Sequence, residues 1–194
     1  MSPAGHTAIA YLVSQSPRLK GKRLKINEIL FILLAGNVFD LDYFVPSLFG
    51  FPRGTHHLFP IHTPLGGIFI FGILYLLFKK RFSKRIFSLA GIAMALHLVA
   101  DDFGHWLCLL GVENFVSPQI FWLYPFDPRR DGEIARILAT HNINQYSNYN
   151  ILKKYFFSTP KLFFTEMAVT ISAIIVFTLT KKHQPSCSSA SEKK

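Results

Sequence analysis

Apolar positions along the chain fall into five stretches separated by short basic or polar breaks. The first runs from about Ser2 to Val13, where Ser2 suits a helix cap and Pro3 its first turn. No basic residue precedes it, so it does not read as a secretory signal. The second spans about Asn27 to Pro46, around an apolar centre from Ile29 to Ala35. The third is Leu65 to Phe78, the fourth about Ile86 to Leu110, and the fifth Leu162 to Thr180. Their length and lack of strict alternation predict helices, although the Phe- and Ile-rich third and fifth also admit a strand reading. A polar region from about Glu113 to Pro160 precedes the fifth stretch. It holds Phe121 to Phe126 and a predicted short helix from Asp131 to Ala139. The expected architecture is all-α: a membrane-embedded bundle of about five helices in one domain over 1–180. Residues 113–160 are expected to be lid-like and 181–194 a disordered basic tail. No internal repeat is visible.

Composition narrows the class. A chain of 194 residues has room for one domain. Charged residues are 16%, against about 25% in ordinary soluble domains. That scarcity, with 20 phenylalanines, excludes a disordered chain. Two cysteines, Cys108 and Cys187, are too few and too far apart for a disulfide scaffold or a zinc finger.

The net charge of +10 fits either a nucleic-acid binder or a membrane protein with basic loops. Position decides between them. Lys20, Lys22, Arg23 and Lys25 precede the second stretch; Lys79, Lys80, Arg81, Lys84 and Arg85 separate the third and fourth; Lys181 and Lys182 close the fifth. They mark segment ends and form no single face, which disfavours nucleic acid. A soluble bundle lying on the membrane is the alternative, because a full crossing needs about 20 apolar residues. With the basic loops on the cytoplasmic side of a plasma or inner membrane, the segments alternate in direction. His6, Asp40, Asp42, the histidines from His56 to His62, and the polar residues of the fourth segment then collect at the opposite face.

That fourth segment carries the strongest chemistry. His97, Asp101 and His105 are spaced four apart and fall on one helical face. Imidazole and carboxylate at this spacing make a natural ligand pair for a metal. Asp102 points elsewhere and is a candidate to orient a histidine. The alternative is hydrogen bonding between helices, but ionisable groups in an apolar helix are costly and usually functional. Asp40 and Asp42 end the second segment, where they either reach water or flank a cation. His56, His57 and His62 lie in a Gly- and Pro-rich loop that reads as a ligand loop or a histidine-rich surface loop. His141 and His183 read as surface residues.

The order of these motifs resembles a known family. His6, Gly36-x-x-x-Asp40-x-Asp42, Arg53-x-Thr55-His56, His97-x-x-x-Asp101 and Tyr124-Pro125 resemble the YdjM-type membrane-bound, metal-dependent hydrolases. They are more distantly similar to the zinc-dependent phospholipase C and P1-nuclease group. The resemblance covers roughly residues 1–130. It implies that Asp40, His56, His97 and Asp101 bind one metal, with Asp101 bridging to a second held by His6. It further implies Asp42 as ligand or support, and His105 as a further ligand. Phe39 stands where the family has Pro, Pro52 replaces a leading His, and His57 replaces a Ser; the roles of His57 and His62 stay open. Zinc suits mixed His and carboxylate ligands, with manganese as an alternative and one to three ions expected. Arg53 and Asp102 are the candidate catalytic side chains, Arg53 to hold an anionic substrate. The expected partners are membrane lipid and a small-molecule or lipid-linked phosphoester; no nucleic-acid or protein partner is expected. The rival readings are a non-enzymatic membrane protein with a structural metal or polar helix contacts, and a transporter.

Overall fold

A computed structural model describes residues 2–16, 23–44, 60–111, 120–123, 125–126 and 160–182. Six α-helices are present there and no strand: α1 (Pro3–Gln15), α2 (Ile26–Asn37), α3 (Pro64–Phe78), α4 (Lys84–Asp101), α5 (Phe103–Leu109) and α6 (Pro160–Lys182). The all-helical expectation holds and the strand alternative falls. The expected helix at Asp131–Ala139 and the tail beyond Lys182 lie outside the described residues.

Local chemistry explains the boundaries. Ser2 caps α1, its Oγ accepting from Gly5 N at 3.4 Å, and Pro3 opens the helix. Thr63 caps α3 the same way, its Oγ1 accepting from Gly66 N at 3.1 Å ahead of Pro64. The second segment is α-helical only to Asn37 and then tightens into a 3-10 helix, Val38–Phe44. The fourth segment is broken. α4 ends at Asp101, and α5 leaves at 62° to it.

Contacts between helices fix their directions. His6 meets Asp101 while Ala10 lies beside Gly36 and Ala93, so α1 runs antiparallel to α2 and α4. Phe31 packs on Phe87 and Gly36 on Ala93, so α2 and α4 are parallel. Gly67 approaches Leu98 while Tyr75 packs on Phe87, which sets α3 antiparallel to α4. Ser2 bonds to Glu166 and Tyr11 packs on Phe177, so α6 runs parallel to α1. The five long helices thus alternate as expected from the basic breaks.

The core lies where α1, α2 and α4 meet. Ile32, Ala35, Ile86, Ala90, Ala93 and Met94 are buried there. Gly36 makes the close approach possible: a Cβ on it would lie 2.6 Å from Ala10 Cβ and 3.3 Å from Ala93 Cβ. Phe31, Phe78, Phe82 and Phe87 form an aromatic cluster at one end of the bundle. The basic breaks, Lys25, Lys79 to Arg81, and Lys84 with Arg85, flank this same end. The start of α1, the end of α2, the start of α3 and the end of α4 form the other end. Among the described residues no single helix is long and apolar enough to cross a membrane; α4 and α5 pass only as a bent pair.

Candidate metal centre

Four elements deliver polar side chains to the end opposite the aromatic cluster. α1 brings His6, the 3-10 helix after α2 brings Asp40, the turn before α3 brings His62, and α4 brings His97 and Asp101. His6, His62 and His97 are essentially inaccessible, and Asp101 is buried with them. Only the Asp40 side chain reaches outward, at 17% exposed.

Asp101 is the hub. Its Oδ1 accepts from His6 Nε2 at 2.9 Å, and its Oδ2 accepts from His62 Nε2 at 2.8 Å. Each carboxylate oxygen thus faces a different histidine, on either side of one planar group.

His97 is held differently. Its Nδ1 lies 2.8 Å from Gly36 O. A carbonyl oxygen only accepts, so Nδ1 carries the proton and Nε2 presents a lone pair in the neutral ring. That lone pair stands 3.1 Å from Asp101 Oδ2 and 3.7 Å from Asp40 Oδ1 without a hydrogen bond. The ring stacks on His6 at 3.6 Å between centroids, and Phe39 packs against both His97 and His62. Phe39, where the resembling family has Pro, is therefore an apolar wall of the cluster.

The turn that carries His62 is built by its neighbours. Thr63 Oγ1 donates to Pro60 O at 2.6 Å, folding Pro60–His62 over the start of α3. Gly66 leaves room for that fold, since a Cβ there would lie 2.2 Å from Pro60 O.

The arrangement fits a divalent ion. Among the described residues, three buried side-chain atoms lack a hydrogen-bond partner: His6 Nδ1, Asp40 Oδ2 and His97 Nε2. The same three residues form one group with a ligand atom from each within 4.8 Å of the others, and His62, His97 and Asp101 form a second such group. Tetrahedral ligands on bonds near 2.0–2.1 Å lie about 3.3 Å apart, the range in which the His97 and carboxylate atoms stand. Three imidazoles and two carboxylates are a donor set suited to zinc, or to manganese or iron.

The other candidate residues are placed as follows. His105 lies on α5 beyond the break, beside the Trp106 ring, and belongs to neither group. The expected face His97–Asp101–His105 therefore stops at Asp101. Asp102 is fully buried and accepts from Ile120 N at 3.2 Å and Trp122 Nε1 at 2.6 Å. It ties the 120–122 segment to the bundle. Asp42 lies in the 3-10 helix with Asp40, but its side chain is outside the described residues, as are Arg53, His56 and His57. His62, whose role the sequence left open, is the residue the structure adds to the cluster.

No family model, curated protein or solved structure matches the chain. The class that fold and site define is an all-helical protein with a buried His/Asp cluster at one end.

Proposed function

We propose that this chain is a membrane-embedded, metal-dependent hydrolase acting on a phosphoester, of the YdjM type that its motifs resemble. One observation carries the reading: His97 Nε2, buried, stands 3.1 Å from Asp101 and 3.7 Å from Asp40 without a hydrogen-bond partner. Lone pair against anion is repulsive in a buried site, and a cation among them removes the repulsion. A bound divalent ion supplies Lewis acidity, acidifying water and polarising a phosphoryl oxygen. The chain does the rest. Gly36 fixes the His97 tautomer, and Asp101 aligns His6 and His62. The partly exposed Asp40 marks the side from which water and substrate approach. Arg53 is the group proposed to hold the anionic substrate.

The membrane part of the reading rests on the outer faces of the bundle. α3 turns Ile68, Phe69 and Leu76 outward, and α6 turns Ile171, Ile174 and Phe177 outward. Such faces are stable in lipid and unfavourable in water. Positive charge at the aromatic end favours its placement on the cytoplasmic side, with the metal end toward the opposite face. A site at a membrane edge supports a lipid or lipid-linked substrate.

A structural metal is the second reading, favoured by the deep burial of His6, His62, His97 and Asp101. Metal analysis of detergent-purified protein, beside an Asp101→Ala, His97→Ala double mutant, tests both. Between one and three equivalents of zinc or manganese, absent from the mutant, with turnover on a phosphoester panel, is the expected result. Metal without turnover would favour the structural reading. No metal after reconstitution with excess zinc would end both.

A further inference from the structure

We infer that Glu166 is a positioning residue for the metal ligand His6, acting through the first turn of α1; this rests on the metal reading above. Glu166 is the one acidic residue of α6 and is buried. A carboxylate there is costly unless strong donors meet it. Two donors come from the start of α1: Ser2 N at 3.1 Å, and Ser2 Oγ. The same Ser2 caps α1 by accepting from Gly5 N, and its carbonyl accepts from His6 N at 3.1 Å. The carboxylate thus sits on the positive end of the α1 dipole, where a negative charge is favoured. One turn further on, His6 delivers its ring to Asp101.

The register of α1 along α6 is set at this point. A further polar tie between them among the described residues, Tyr11 OH with Thr180 Oγ1 at 3.4 Å, lies toward the far end and is longer. Apolar contact between helices tolerates axial sliding, whereas two donors on one carboxylate do not. A shift of one helix by a fraction of an ångström moves the His6 ring relative to Asp101. α6 makes no ligand itself, yet it fixes the height at which His6 enters the cluster.

The test uses the full-length protein in detergent, loaded with cobalt(II) as a spectroscopic probe. Glu166→Ala is expected to weaken cobalt binding by about tenfold to a hundredfold, as loss of a residue supporting a ligand does. It should also change the intensity of the visible cobalt band. Glu166→Gln keeps an oxygen to accept from Ser2 N and should recover most of the affinity. Native cobalt affinity and spectrum in Glu166→Ala would overturn the inference and leave the metal reading intact. A native protein that takes up no cobalt would overturn the metal reading. The positioning role is then judged on metal-free protein by amide exchange of Gly5 and His6. Faster exchange in Glu166→Ala, restored in Glu166→Gln, would support it, and unchanged exchange would overturn it.

Discussion

The Nδ1 of His97 donates to the backbone carbonyl of Gly36, across 61 residues of sequence, at 2.8 Å. This bond exists because Gly36 has no side chain. α2 presses against α1 and α4 at that position, and the carbonyl reaches the imidazole.

Gly36→Ala therefore strikes packing and site together. The new methyl would meet Ala10 Cβ at 2.6 Å, a distance real Cβ atoms do not hold, and would press on Ala93 Cβ at 3.3 Å. Overpacking of this kind costs about 1–3 kcal/mol. The His97 tautomer should lose its anchor at the same time. The expected outcome is a lower unfolding midpoint and weaker metal binding, measured by denaturation and zinc titration. A variant with native affinity and stability would refute this account of Gly36.

Asp101→Asn changes the hub without changing its size. The amide nitrogen, itself a donor, must face His6 Nε2 or His62 Nε2, whose proton a carboxylate oxygen had accepted. Metal binding should fall below detection. In the native protein, zinc at about a hundred times its dissociation constant should stabilise by roughly 2.7 kcal/mol, and chelation should remove that gain. Thermal unfolding with and without zinc distinguishes the two proteins: only the native one should respond.

His62 and His105 separate the geometry from the spacing of the sequence. His62→Ala should weaken metal affinity by roughly a hundredfold or more, exceeding the loss expected for supporting residues. His105→Ala should leave it within a few-fold. The reverse order would mean that the face continues through the break at Asp102.

Trp122→Phe removes the indole donor to Asp102 and leaves a buried carboxylate short of one partner. Such a loss costs about 1–3 kcal/mol. The 120–122 segment should loosen, seen as faster proteolysis there, while metal content stays native. Loss of metal in this variant would show that Asp102 supports the ligands more directly than its bonds to Ile120 and Trp122 indicate.

The helices were largely legible in the sequence. Leu65 to Phe78 was expected and Pro64–Phe78 is found, because Thr63, Pro64 and the lysine pair are local signals. His97 and Asp101 were legible for a related reason: ionisable groups in apolar segments stand out, whereas His6 and Asp40 are weak signals alone and take their roles from the order of the motifs. The break after Asp101 was not, since its described cause is tertiary: Asp102 bonds to residues 18 and 20 positions away. His62 was one of three loop histidines alike in composition. What sets it apart is the capping Thr63-Pro64 that follows, which roots it on a helix start. Glu166 is also an ionisable group in an apolar segment, but nothing in the sequence pairs it with Ser2, 164 residues away.

The spread of the cluster over four elements has a consequence for biogenesis. His6 and Asp101 are 95 residues apart, so no pair of neighbouring helices contains the cluster. While the chain is being made, His6 and Asp40 emerge long before the carboxylate that unites them. Until α4 docks, those polar groups have to be hydrated or otherwise shielded. Assembly of the cluster thus waits on completion of α4, and on the proposed reading metal uptake would report when the bundle has closed.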